Sequence, residues 1–148
     1  MSDSILVAVD GSPLSEKALR HALKTFPGAE ITAYHVVDLF DPDFGTHPDR
    51  DPTYEPMIGT DDWYAQAEAH TDDLFEAVGT VAAEHDRVVT TDSDIGEPAR
   101  LVLEYADEAD VDHIVLGAHG REWTDRALFG SEAETVVRRA RVPVTVVR

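Results

Sequence analysis

The sequence predicts a single α/β domain built around a doubly wound, five-stranded parallel sheet, and three observations support this fold class. Five short apolar runs rich in β-branched residues occur at residues 5–9, 31–37, 88–90, 113–116 and 142–147. Segments with helical periodicity separate these runs, which is the order of a βαβ architecture. The runs are mostly continuous rather than alternating, as expected of strands that are buried on both faces. A length of 148 residues is typical of one domain, so we assign residues 1–148 to one domain.

Four helices are predicted between the strands, each from a start signal and an apolar stripe. Ser12 and Pro13 mark the start of the first helix, as an N-cap and a first-turn proline. The second helix is predicted to begin after Thr60, the third near Pro98 and the fourth after Gly130. The residues predicted to face the core are, helix by helix, Leu14, Ala18, Ala22 and Leu23; Trp63, Ala67, Leu74, Ala77 and Val81; Leu101, Val102, Tyr105 and Ala109; and Ala133, Val136, Val137 and Ala140.

Residues 38–60 interrupt this alternation. The segment contains five aspartates and four prolines and has no periodicity, so it is predicted to be a long acidic loop. Loops of this length in compact domains are either functional lids or disordered segments, and the composition leaves both alternatives open.

The charge balance excludes several functional classes. Thirty acidic residues against twelve lysines and arginines give a net charge of -18, which opposes binding to nucleic acid or to anionic lipid. No apolar run reaches the roughly 18 residues of a membrane span. The N-terminus lacks the basic and apolar regions of an export signal, so we expect a cytoplasmic protein. Without cysteine, the chain has no thiol catalysis, thiolate metal site or disulfide.

The basic residues suggest the conditions under which the protein works. Only Lys17 and Lys24 are lysines, and the other ten basic residues are arginines. An acidic surface poor in lysine is typical of a protein kept soluble at high salt, where counter-ions screen the self-repulsion. The composition therefore favours a halophilic protein, the alternative being an ordinary acidic cytosolic protein.

The spacing of glycines after the fourth strand is the main functional motif. Gly117 and Gly120 are followed, after nine residues, by Gly130 and Ser131 at the start of the last helix. Glycines at a strand end permit close approach of the backbone, and a helix start offers free amides and a favourable dipole to an anion. This arrangement is typical of a phosphate site. The alternative is that the glycines only turn the chain and Ser131 caps the helix.

With this motif the chain resembles the universal stress protein family over almost its whole length. The spacing matches the family's nucleotide-binding signature, GxxG-x9-G[ST]. The segments ILVAVDGS, AYHVVD, IGEPARLVLEYADEADVDHIVLGAHGR and RRARVPVTVVR are also similar to the family's. The resemblance implies a five-stranded parallel sheet of order 3-2-1-4-5, ATP binding and dimers formed through the last strand, residues 142–147.

The resemblance also implies roles for individual residues. Asp10 is expected near the ribose or a phosphate-bound Mg²⁺ or Mn²⁺ ion, although an aspartate there can instead tie down the following turn. The backbone of Val36 is expected to contact adenine, with Ala8 and Leu116 lining the base pocket. The groups implied for the phosphates are the amides of Gly117, Gly120, Gly130 and Glu132 and the hydroxyl of Ser131.

Three acidic residues depart from the family pattern. Glu132 occupies a position that is usually apolar, and Glu122 and Asp125 lie in the nine-residue loop, where Arg121 and Arg126 offset part of the charge. Because these carboxylates repel phosphate, we expect nucleotide affinity to rise with salt.

The sequence therefore predicts a module that binds ATP, with Mg²⁺ or Mn²⁺, and acts in stress regulation as a homodimer. One alternative is a slow ATPase or phosphotransferase, but the chain has no GxxxxGK[ST] motif, and only Asp10 and His119 are candidate bases. A scaffold that does not use the pocket is the other alternative. His35, in the second strand, is expected to be a hydrogen-bonded core histidine.

Overall fold

The computed structural model describes residues 3–38, 59–119 and 130–148. Within these ranges the chain forms five strands and four helices in the predicted order. The strands are β1 (Ser4–Ala8), β2 (Glu30–Asp38), β3 (Thr90–Gly96), β4 (His113–Gly117) and β5 (Val144–Val147). The helices are α1 (Pro13–Thr25), α2 (Asp61–Glu84), α3 (Pro98–Glu108) and α4 (Ser131–Arg139). Apart from Asp38 at the end of β2 and residues 59–60, the predicted acidic loop lies outside the described residues.

All five strands are parallel, and the sheet order is β3-β2-β1-β4-β5. This order confirms the predicted topology, with β1 at the centre and β4 beside it. In β1, Ile5, Leu6 and Val7 are at most 1% exposed, because helices cover both faces of the sheet.

Two apolar layers lie on opposite faces of the sheet. Alternating β1 residues join them: Ile5 and Val7 pack with α1 and α2, whereas Leu6 packs with α3 and α4. In the described part of the chain, no helix combines the length and the apolar character needed to cross a membrane.

The starts of the first two helices follow the prediction. The Ser12 side chain accepts a hydrogen bond from the Ser15 amide at 3.3 Å, and Pro13 is the first helical residue. The Thr60 hydroxyl accepts a hydrogen bond from the Trp63 amide, also at 3.3 Å. In both helices the side chain of the N-cap residue therefore caps the first turn.

The third strand differs from the prediction of residues 88–90. The observed strand has the sequence TTDSDIG, and its first six residues are exposed, whereas Val88 lies before it and is 95% exposed. Among the described strands, β3 lies at the edge of the sheet and pairs with β2 alone, so its side chains need not be apolar. The last strand is also shorter than predicted and begins at Val144.

Three of the predicted core residues are exposed. On α2, Ala77 is exposed, and Thr71 and Val78 are buried in its place, because the buried stripe of this 24-residue helix advances in steps of three and four residues. Ala109 lies beyond the end of α3, and Val137 on α4 is 51% exposed.

Candidate functional site

A cavity of about 360 Å³ opens at the carboxyl ends of β1, β2 and β4. The strands β1 and β4 are neighbours in the sheet, and the chain leaves them towards opposite faces. The starts of α3 and α4 form the walls of the cavity. Ligands of α/β proteins bind at such switch points, and this volume is within the usual range for a small-molecule pocket.

The structure brings eight of the nine predicted binding residues to this cavity. The eight are Ala8, Asp10, Val36, Leu116, Gly117, Gly130, Ser131 and Glu132. The ninth, Gly120, lies outside the described residues, as do the predicted charged residues Arg121, Glu122, Asp125 and Arg126.

The floor of the cavity is apolar and comes from three adjacent strands. Ala8, Val36 and Leu116 all belong to the apolar layer that contains α3 and α4. Each lies two residues after a buried residue of this layer on its own strand, and strand residues two apart share one face. Leu116 is 3% exposed, whereas Ala8 and Val36 are only partly buried and leave surface for a ligand.

Asp10 follows β1 and stabilises the turn into α1. Its Oδ1 accepts a hydrogen bond from the Ser12 amide at 2.8 Å, across Gly11, which has a φ of 82°. The turn-stabilising role that the sequence left open is therefore present. Among the described residues, the other carboxylate oxygen, Oδ2, has no hydrogen-bond partner, so the same side chain can also serve a ligand.

The start of α4 lies at the wall of the cavity, and its first amides have no acceptor within the helix. Gly130 is its N-cap, and no side chain among the described residues caps this helix. The first hydrogen bond within the helix runs from the Glu134 amide to the Gly130 oxygen, at 3.0 Å, so the amides of Ser131, Glu132 and Ala133 have no intrahelical acceptor. The Gly130 amide is already engaged, because it donates to the Ala118 oxygen at 2.7 Å.

Gly117 is required by packing. Its φ is not positive, and a Cβ at this position would lie 2.9 Å from the Leu14 Cβ and 3.1 Å from the Leu14 carbonyl carbon. The first turn of α1 therefore sits directly against the end of β4. Glycine is needed at this position because a helix, α1, packs against it. The glycine spacing in the sequence did not predict this reason.

The cavity wall is strongly acidic. Burial raises the pKa of Glu132 to about 7, and the neighbouring carboxylates of Asp10 and Asp38 add to this shift. A group of three or more side chains suited to hold a metal ion is absent from the described ranges. A metal at Asp10 would therefore need further ligands from a bound phosphate or from water.

Several lining residues were not predicted as binding residues. Asp38 ends β2 on the same face as Val36, and Glu97 precedes α3, so both could have been found by extending the strand-end argument to every strand. His35 also lines the cavity, and its Nδ1 lies 2.9 Å from the Val9 oxygen, in agreement with the predicted hydrogen-bonded core histidine.

Tyr34 forms a polar contact beneath the α3 wall. Its hydroxyl donates to Asp94 at 2.7 Å, and its ring lies 4.4 Å from that of Tyr105, measured between centroids. Burial raises the pKa of Tyr34 well above its ordinary range, and the hydrogen bond to Asp94 adds to the effect. The hydroxyl thus remains a donor and fixes β2 to β3 at this side of the cavity.

Solved structures share this fold. The universal stress protein UspA from Lactobacillus plantarum superposes with a TM-score of 0.77 and 24% identity, and the match covers 99% of this chain and 97% of that one. An Arabidopsis thaliana protein of the same family, described with AMP bound, has a TM-score of 0.66 and 15% identity over 98% of this chain and 90% of that one. A protein from Archaeoglobus fulgidus, described in complex with dAMP, has a TM-score of 0.61 and 19% identity over 100% of this chain and 98% of that one.

Sequence comparison gives the family itself. A universal stress protein of Methanocaldococcus jannaschii is 31% identical over 153 residues, which cover 97% of this chain and 81% of the relative. The model of the universal stress protein family matches residues 1–148. The chain therefore belongs to the universal stress protein family.

Proposed function

We propose that this chain binds an adenine nucleotide, ATP with Mg²⁺ or Mn²⁺, in the cavity at the end of β1 and β4. The observation that carries the proposal is that an apolar floor adjoins the start of α4, where the first amides have no intrahelical acceptor. An apolar floor suits a purine base, and free helix amides suit phosphates. The nucleotides in the Arabidopsis and Archaeoglobus structures support the same class of ligand.

The proposed pose assigns each part of the nucleotide to a part of the cavity. Adenine lies on the floor against Ala8, Val36 and Leu116, as the resemblance implies. The phosphates lie at the start of α4, where the Ser131 hydroxyl and the amides that follow it are the donors. Gly120 is proposed to contribute an amide.

Asp10 is the residue that fits the proposed metal. One of its oxygens is held by the Ser12 amide, which fixes the carboxylate, and the other faces no described donor. A divalent ion there supplies positive charge that offsets the acidic wall and the phosphates. Such an ion would share its ligands with the nucleotide.

We propose a regulatory role rather than turnover. The described cavity wall carries no lysine or arginine to stabilise a transferring phosphoryl group. Nucleotide occupancy would then act as a signal in a cytoplasmic homodimer formed through residues 142–147. The edge strand β5, which pairs only with β4 among the described strands, is the surface proposed for that dimer.

Calorimetric titration of Mg–ATP into nucleotide-free protein in molar KCl tests the binding. We expect saturable binding, and we expect Ala8→Val to weaken it by narrowing the base pocket. Ser131→Ala should weaken ATP binding about fivefold through the loss of one hydrogen bond, while adenosine binding stays unchanged. Thermal melts of each variant report whether the fold is intact. The absence of both heat and thermal shift with wild-type protein would contradict the proposal.

A further inference from the structure

Among the described residues, the lysine, arginine, aspartate and glutamate side chains that line the cavity are all acidic. Four carboxylates line it among the described residues, and no lysine or arginine does. The four are Asp10, Asp38, Glu97 and Glu132. Such a wall is unusual for a site that receives phosphates, because each phosphate charge is repelled by a fixed charge of the same sign.

Glu132 is the lining carboxylate that shares a helical turn with the donors for an anion. It is the second residue of α4, next to Ser131, and its own amide is one of the three without an intrahelical acceptor. Its carboxylate makes no hydrogen bond or ion pair with the residues that the structure describes. No described side chain therefore neutralises this charge when the group is ionised.

Attraction and repulsion thus come from the same helical turn. The start of a helix carries an effective charge of roughly +0.5, whereas an ionised Glu132 carries a full negative charge. The balance depends on the ligand, since the repulsion grows with every charge that the ligand adds. A neutral nucleoside is not repelled, and a triphosphate complexed with a metal ion is repelled less than a free triphosphate.

We propose that Glu132 is a specificity-determining residue that ranks adenine ligands by their phosphate charge and disfavours an uncomplexed triphosphate. The inference rests on the proposed function, because it concerns the same cavity. It assigns to this chain a preference for nucleotides with few phosphate charges or with phosphates neutralised by a cation. Glu132→Gln keeps the size of the side chain and removes its charge.

A ligand series of increasing charge tests the proposal. Adenosine, AMP, ADP and ATP are titrated at pH 8.5, without divalent cations, at the lowest KCl concentration that keeps the protein folded. In the wild-type protein we expect affinity to fall from AMP to ATP. Glu132→Gln should raise ATP affinity about tenfold and AMP affinity about threefold, and should leave adenosine affinity unchanged.

Glu134→Gln is the matched control, because Glu134 lies in the same first turn but is exposed and pairs with Arg138 at 2.8 Å. We expect it to leave the ranking of the ligands unchanged. Equal shifts in ATP affinity from the two variants, or wild-type affinity that does not depend on ligand charge, would overturn the role of Glu132 while nucleotide binding stands. If no ligand binds, including Mg–ATP, both proposals fail.

Discussion

The surroundings of Glu132 act in opposite directions on the charge of its carboxylate. The start of α4 stabilises a negative charge, yet burial and the carboxylates of Asp10 and Asp38 disfavour it, and the pKa of Glu132 rises to about 7. In the unfolded chain the same carboxyl has its ordinary pKa of 4.5. At a pH between these two pKa values, the folded protein holds a proton that the unfolded chain has released. The contribution of Glu132 to stability therefore falls as the pH rises through this window.

We predict that Glu132→Gln stabilises the nucleotide-free protein at pH 8. The expected gain in the free energy of unfolding is about 2 kcal/mol, or roughly 5 °C in melting temperature. At pH 5 the difference should narrow, because the folded wild-type side chain is then also neutral. Thermal melts from pH 5 to pH 8 measure this, with Glu134→Gln as the control. Parallel curves for the wild type and Glu132→Gln would contradict the assigned environment.

At the scale of elements, the contact between α1 and β4 determines what position 117 can hold. The first turn of α1 leaves no room for a Cβ on Gly117, whereas a Cβ on Gly79, in the middle of α2, would meet nothing within 4 Å. The two glycines therefore respond in opposite ways to the same substitution, although both lie inside regular elements.

We predict that Gly117→Ala destabilises the fold by about 1–3 kcal/mol, since α1 must move away from the sheet. Gly79→Ala should stabilise it by about 0.5–1 kcal/mol through a better helix propensity. Urea unfolding of both variants gives the two free energies. If both alanines changed stability by the same amount, the close packing of α1 on β4 would be wrong.

The elements predicted most reliably from the sequence are the strands that helices bury on both faces of the sheet. The central strands β1, β2 and β4 were found for this reason, and β3 was misplaced because an edge strand can be polar. The glycine spacing located the start of α4, but the acceptor of the Gly130 amide depends on how the chain folds back on Ala118.

Contacts between segments that are distant in the chain could not be predicted from the sequence. The Arg87 guanidinium donates to the backbone oxygens of Leu23, Phe26 and Ala29 at 3.0, 3.2 and 2.8 Å. These bonds join the end of α1 to the segment after α2, more than 55 residues later in the chain. No local pattern around position 87 indicates them, because an arginine in a loop is usually solvated.

At the scale of the whole molecule, the net charge of -18 dominates. The ion pairs between described residues join Arg20 to Glu16 and Glu84, and Arg138 to Glu134, on side chains that are 37–74% exposed. Exposed pairs contribute little, so these pairs offset little of the repulsion that this net charge produces. We therefore expect dissolved ions to screen this repulsion.

We predict that the melting temperature rises as KCl increases from 0.1 M to about 2 M. The Debye length shortens from about 10 Å at 0.1 M to about 3 Å at 1 M, which weakens repulsion between surface carboxylates. Differential scanning calorimetry across the series measures the effect. A melting temperature that does not depend on salt would contradict a halophilic adaptation.

We also predict a homodimer, because β5 is an edge strand with apolar residues. Light scattering in molar KCl at micromolar protein should give the mass of two chains. The mass of a single chain under these conditions would show that β5 does not pair. Pro143, which precedes β5, has no N–H and limits the register of the pairing.

The polar edge strand β3 has a consequence for how far assembly can proceed. The predicted pairing through β5 would use one edge of each sheet and would leave both β3 strands at the outer ends of the combined sheet. There, Asp92 and Asp94 place negative charges on exposed strands. Two such edges from different dimers would repel each other, so growth by edge addition stops. An apolar β5 edge and an acidic β3 edge would thus limit the predicted assembly to a dimer, and the sheet would not extend into a fibre.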